Sequence, residues 1–314
     1  MKNLLNYCSI NCYEKELVKR KINLAQYIEH YNLSGIEQFI YCNQLSVKSY
    51  ASITIGVHLA YWPQWLDFWR GKSADDIFIL KNMGINNVNV WLEIIRENIY
   101  AALKELPEYL VWHIADCSPE EAYTFKFRYS DDDVITAAAE VFNEVADCIP
   151  DSVLVLFENL WWPGLRLLDA KTVEKFFALV NKKNVGIMLD TGHLINTNPN
   201  IEDEQEAVAY IYKVILQLGD TAKRIKGMHL NCSLSGSYQR SFSRKVPADN
   251  NYSGLIKHII SIDQHKPFTQ DGIRKIFNVI NPEYVTHELI YNDFTDLGKK
   301  LSKQMKACGR FWHK

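Results

Sequence analysis

No run of about 18 consecutive apolar residues occurs in the sequence, so no membrane-spanning helix is expected. The first residues, MKNLLNYCSINCYEKE, lack an apolar stretch followed by small cleavage residues, which argues against a signal peptide. Seven cysteines stand at Cys8, Cys12, Cys42, Cys117, Cys148, Cys232 and Cys308, and none forms a C-x-x-C pair. The odd number and irregular spacing argue against a disulfide framework and a structural zinc ribbon, and point to a reducing, cytoplasmic setting. Charge of one sign is also missing: the formal net charge is −2, so no global basic field recruits nucleic acid. A local basic rim remains compatible with nucleic acid, at lower weight. No internal repeat, low-complexity tract or linker divides the chain, and a single domain over residues 1–314 is expected.

What is present is an alternation. Short apolar, β-branched runs occur at Leu4–Ile10, Gly35–Cys42, Ile53–Leu59, Tyr109–Ala115, Val153–Glu158, Val185–Asp190, Ile225–Asn231 and Tyr284–Leu289. Continuous apolar runs fit strands buried on both faces, as in a parallel sheet. Amphipathic stretches separate them: Tyr13–Tyr31, Ser73–Leu106, Asp131–Cys148, Ala170–Lys182, Glu202–Leu218 and Asp293–Lys306. Gly84 with Asn86 and Asn87 is expected to break the second of these. The long connection after the seventh run holds a polar loop, Ser233–Asn251, and two helical candidates, Gly254–Ser261 and Gln270–Val279. Eight strand–helix alternations predict an α/β protein of the (β/α)8 barrel class, a TIM barrel.

The strand ends carry unusual residues. His58, His113, Glu158, Asp190, His229 and Glu288 sit on or at the ends of six of the strands. His193 follows Asp190 by three residues, and Asp263-Gln264-His265 comes later. A single histidine on a buried strand is usually a packing residue, and a single carboxylate there is usually a helix cap. Their conjunction at one rim, where the C-terminal ends of barrel strands converge, changes that reading. Carboxylates that close together repel unless cations intervene, and imidazole with carboxylate is the ligand set of zinc, manganese and iron sites. His30 and His258 fall on helical stretches, His313 lies in the tail, and alternation turns His287 to the face opposite Glu288.

The motifs LFENLWWPG, GIMLDTGHL, GMHLNCSLSG, IDQHKPFT and THELI, in this order, resemble the successive signatures of the xylose-isomerase-like TIM barrels. That superfamily holds sugar isomerases and epimerases and the endonuclease IV class, also called AP endonuclease family 2. The resemblance implies a metal site of Glu158, Asp190, His229 and Glu288. Similarity to endonuclease IV adds His58, His113, His193, Asp263 and His265, and implies up to three divalent ions, zinc first and manganese as the alternative. By that resemblance His58, His113 and Glu158 hold one ion; Glu158, Asp190, His229 and Glu288 a second; His193, Asp263 and His265 a third. Asp263 lies 34 residues after His229, so a long loop must fold back to the rim.

Two activities follow. The first is hydrolysis of a phosphoester, with Glu158 and Asp190 orienting the attacking water; Arg240, Arg244 and Lys245 are candidates to clamp the phosphate, with a solvated loop as the favoured reading. The second is a sugar or sugar-phosphate isomerase or epimerase, with Glu158 and Glu288 moving a proton between carbons. Trp62, Trp65, Trp161 and Trp162 offer an apolar wall, or simply rim packing. Five ligand types that an isomerase does not need tip the reading toward the hydrolase. The expected partner is a small phosphorylated or sugar-like substrate, with no membrane. No ligand type is missing, which argues against a degenerate, non-catalytic barrel.

Overall fold

The computed structural model describes residues 1–41, 48–72, 84–249 and 251–309. Eight parallel strands close into a barrel in sequence order. They are β1 (Lys2–Cys8), β2 (Gly35–Phe39), β3 (Thr54–His58), β4 (Tyr109–His113), β5 (Leu154–Glu158), β6 (Val185–Asp190), β7 (Ile225–Leu230) and β8 (Tyr284–His287). β8 closes on β1 through the register Lys2↔Tyr284 to Leu5↔His287. The expected (β/α)8 barrel is therefore the observed fold. Cys42, the segment 73–83 and His313 lie outside the described residues.

The strands form because their residues are apolar on both faces. In β5 the inward Leu156 meets Leu4, Tyr109, Val111 and Met188 within the barrel, while Val155 and Phe157 turn outward to the helices. Phe157 packs edge-on against Phe142 and Phe176, which belong to helices Asp131–Asn143 and Ala170–Leu179. Helix starts are written in the sequence as caps. Ser130 forms a capping box with Asp133, and Asn87, Asp169, Asp203 and Asp293 each accept a backbone N–H at the start of the next helix.

One helical expectation is corrected. Tyr13–Tyr31 is not one helix but two, Asn11–Arg20 and Leu24–His30. Lys21 is left-handed at φ 55°, and Asn23 caps the second helix. The second stretch does break at Asn87, which caps Val88–Leu103. Short helices in the loops went unforeseen: Trp65–Trp69, Pro119–Thr124, Thr191–Asn196 and Gly236–Ser241 are each too brief to show a period. Among the described residues, no helix is long and apolar enough to cross a membrane. The six described cysteines form no disulfide.

Inside the barrel, space is allotted residue by residue. Tyr109 is fully buried and its ring fills the room that a side chain at Gly56 would occupy: a Cβ there would lie 2.1 Å from Tyr109 Cζ. The same ring places its hydroxyl 2.7 Å from Glu37 Oε2, to which it donates. Gly56→Ala is expected to cost about 1–3 kcal/mol by overpacking. Chemical denaturation checks this as a lowered midpoint, and an unchanged midpoint would show that the ring has room to move.

Candidate metal centre

The barrel's alternation delivers the polar residues to one place. In β5, Leu154, Leu156 and Glu158 share a face, so the last of them points into the mouth. Register pairs His113 with Glu158 and Asp190 with His229, which sets these side chains side by side. Glu158 becomes the hub. Its Oε2 lies 3.1 Å from both His58 Nε2 and His113 Nε2, and its Oε1 lies 2.9 Å from His229 Nδ1 and 3.4 Å from His193 Nδ1. Glu288 Oε2 lies 3.0 Å from His229 Nδ1, yet it accepts no hydrogen bond among the described residues.

Asp190 both caps and serves the centre. Its Oδ1 accepts the N–H of His193 at 2.6 Å, starting helix Thr191–Asn196. Its Oδ2 accepts from Asn231 Nδ2 at 2.8 Å. The glycine of the DTGH motif makes that approach possible, because a Cβ on Gly192 would lie 1.8 Å from Asn231 Oδ1. Asn159 completes the frame: its Oδ1 accepts from the N–H of Asp190 at 2.8 Å, and its carbonyl lies 2.8 Å from His193 Nδ1.

The late pair does return to the rim. Helix Tyr252–Ile262 ends at Asp263, and an isolated bridge joins Cys232 to Lys266 just beyond β7. Ser233 Oγ accepts the N–H groups of Gln264 and His265 at 3.0 and 3.2 Å. His265 is held in the left-handed region at φ 42°, a strained conformation that persists only where neighbours fix it. Asp263 Oδ2 thereby lies 3.3 Å from His193 Nε2 and 2.7 Å from His265 Nε2. The 34-residue separation of Asp263 from His229 is closed by contacts right next to the strand.

Other sequence candidates fall elsewhere. Trp161 and Trp162 line the cavity over the centre. Trp62 instead packs edge-on to Trp91 behind the rim, and Trp65 is buried with its indole N–H donating to the Ala115 carbonyl at 2.9 Å. Arg240 is paired with Glu202 and the Pro199 carbonyl on the outer surface, away from the cavity. Arg244 lies over the Phe125 ring at 3.8 Å. Arg240 is held by an acidic partner, while Arg244 is half-buried, donates to the Gln239 carbonyl at 2.9 Å and does not line the cavity. His287 points away from the mouth, with Nδ1 2.8 Å from Gln304 Nε2.

Sequence reasoning missed Glu37. This β2 residue is fully buried at the barrel centre, and its Oε1 lies 2.9 Å from His229 Nε2. Thr286 also donates to it. Glu37 thus fixes the far nitrogen of His229 and leaves Nδ1 facing the carboxylates, the arrangement that orients metal-binding imidazoles. The one signal was a glutamate inside an apolar strand run, GIEQFIYC, which reads as a charge needing a partner.

The donor set fits divalent cations. Five carboxylates, at Glu37, Glu158, Asp190, Asp263 and Glu288, meet five imidazoles, and among the described residues no Lys or Arg pairs with any of these five carboxylates. Four groups bring ligand atoms within 4.8 Å of one another: His58, His113 and Glu158; Glu158, Asp190, His229 and Glu288; His58, His229 and Glu288; and Asp190, His193 and His265. Burial pushes the Asp190 carboxyl up to about 7 and lowers His113 to about 3. Burial also opposes charge on His229, but Glu37, Glu158 and Glu288 outweigh it and hold that imidazole well above its usual range.

A closed (β/α)8 barrel with a metal-capable cluster at its mouth defines the class. Residues 79–299 match the family model described as xylose isomerase-like TIM barrel, and the chain belongs to that family. No curated protein matches it. Among solved structures, endonuclease IV from Thermus thermophilus is 12% identical with a TM-score of 0.53, covering 98% of each chain. A sugar phosphate isomerase/epimerase from Parabacteroides distasonis is 12% identical with a TM-score of 0.52, covering 98% of this chain and 96% of that one. A D-tagatose 3-epimerase-like protein is 14% identical with a TM-score of 0.52 and 98% coverage of both. At such identities the likeness shows the fold alone.

The cluster has a pH signature when metal-free. Burial opposes charge on His265, but Asp263 and Glu288 outweigh it and lift the imidazole to about 9 from an ordinary 6.5. That contribution to stability is full below pH 6.5 and is lost as pH rises through 9. Asp190, raised to about 7, adds a loss that grows up to that pH. The melting temperature of the chelator-treated protein is expected to fall from pH 6.5 to 9, and less so with metal present. A flat metal-free profile would contradict the geometry described.

Proposed function

We propose that this protein is a divalent-metal-dependent hydrolase of a small phosphoester, using up to three ions, with zinc as the first choice and manganese as the alternative. The observation that supports it most is the position of Glu158. Both its oxygens face imidazoles, and the side chain is fully buried. A carboxylate so enclosed suits a bridging ligand and has no free edge to present to a substrate carbon.

In this reading His58, His113 and Glu158 hold one ion, and Glu158, Asp190, His229 and Glu288 a second. His193, Asp263 and His265 hold the third. Bound divalent ions supply Lewis acidity toward phosphate oxygens and lower the pKa of water toward neutrality. The chain's own residues do the positioning. Glu158 ties the ligand groups together, and Glu37 fixes His229. Glu288, whose side chain is 17% exposed and lines the cavity, stands where it can orient a water and take its proton.

The second reading, a sugar or sugar-phosphate isomerase or epimerase, draws on the same Glu288, a carboxylate open to the cavity and shaped for proton transfer. It needs Glu158 as a partner base, which the enclosing imidazoles disfavour. Nucleic acid as substrate is disfavoured because Glu202 engages Arg240 and no Lys or Arg among the described residues lines the cavity.

Two substitutions test the proposal. Glu158→Gln is expected to lower phosphoester turnover by about a thousandfold or more, on the scale of losing metal-based charge stabilisation, with far-UV circular dichroism unchanged. Retained turnover would remove both readings. His265→Ala is expected to release about one ion per chain and to abolish phosphoester turnover. Full metal content with unchanged ketose isomerisation in that variant would favour the second reading.

A further inference from the structure

Above the centre lies a cavity of about 380 Å3, the size of a compact ligand site. Its floor is the metal-capable cluster, reached through His113, His193 and Glu288. Its walls are aromatic. Trp161 lies 5.2 Å from the His193 ring and 4.6 Å from Trp162, and Tyr61 lies 5.3 Å from the His113 ring and stacks with Trp162 at 6.2 Å. Its roof is helix Tyr252–Ile262, part of the long insertion after β7, which presents Leu255, Ile256 and Ile259. These three are only half-buried, so their apolar surface is not consumed by packing.

Polar side chains in the walls are few, chiefly Gln64, Ser118 and Tyr252. Trp161 Nε1, Trp162 Nε1 and the Tyr61 hydroxyl are buried without a hydrogen-bond partner among the described residues. No Lys or Arg among the described residues lines the cavity. Away from the floor, a polyol in such a chamber would lay hydroxyls against aromatic and aliphatic surface, at a cost for each unmade bond. A second phosphate would find no cation. A flat apolar ring meets the walls by stacking and the roof by burial.

We propose that the chamber is the binding site for the alcohol half of the substrate, and that this half is a single aryl or aryl-alkyl group: the substrate class is an aromatic phosphomonoester. This rests on the phosphoester reading above. The reaction is hydrolysis. A water oxygen bonds to phosphorus, and the bond from phosphorus to the aryl-bearing oxygen breaks with its electron pair on that oxygen. One water proton ends on the leaving oxygen, the other stays with the phosphate, and nothing is oxidised or reduced.

The test uses non-hydrolysable probes on the metal-loaded full chain. Phenylphosphonate and methylphosphonate are titrated by calorimetry, alongside a ketose. Burial of the ring predicts that phenylphosphonate binds at least about tenfold tighter than methylphosphonate. Ile256→Ser and Trp162→Phe, a roof and a wall change, are each expected to narrow that ratio, to within about threefold for the roof change. Equal binding of the two phosphonates by the wild type would overturn the aromatic assignment and leave the phosphoester reading standing. Binding of the ketose with neither phosphonate bound would overturn both. A ratio unmoved by either substitution would place the ring elsewhere and overturn the assignment of this chamber.

Discussion

Everything at the mouth of this barrel is arranged around one buried carboxylate. Glu158 has no exposure, and a lone carboxylate in that position would be driven to its neutral form. Here the imidazoles of His113 and His229, with His193, outweigh the cost of burial and hold it well below the usual carboxylate range. That requirement reaches down the structure. His229 serves only if its other nitrogen is held, which places Glu37 on β2. Glu37 in turn is held by Tyr109 and Thr286, and Tyr109 needs the missing side chain of Gly56. The strand interior and the rim are one connected set of contacts.

The outer frame is less symmetrical. On one side Asn159, Asn231 and Ser233 fix backbone and carboxylate positions through side-chain hydrogen bonds. On the other, the insertion after β7 brings Asp263 and His265 in from above and roofs the cavity with an apolar helix. The same segment therefore supplies two side chains of the cluster and shapes the space over it. The strained backbone at His265 marks where the two roles meet. Such strain is tolerated because Ser233, the Cys232–Lys266 bridge and the bond from Ile290 N–H to the His265 carbonyl fix it from three directions.

Much of this was legible in the sequence, because it depends on local rules. Eight apolar runs gave eight strands, the convergence of strand ends put Glu158, His113 and Glu288 at the mouth, and period-two alternation turned His287 to the other side. What was not legible depends on the third dimension. Glu37 sits in a strand where the run alone does not reveal the histidine across the barrel. Trp62 and Arg240 looked suited to substrate contact by type, yet Trp91 and Glu202 were there to engage them first. The turn within Tyr13–Tyr31 rests on a left-handed lysine, a residue type that does not announce such a conformation. The return of Asp263 across 34 residues rests on a two-residue bridge that no periodicity encodes.

The central claim is that these carboxylates and imidazoles form one multinuclear metal centre. The most direct measurement is the metal content of the wild-type chain, by elemental analysis after stripping, reloading with zinc and removal of loosely held ions. The account predicts more than one tightly held ion per chain, approaching three, in line with paired-metal spacing of about 3.5–4 Å within such clusters. One ion per chain would contradict the multinuclear centre and leave only the four-residue site of Glu158, Asp190, His229 and Glu288.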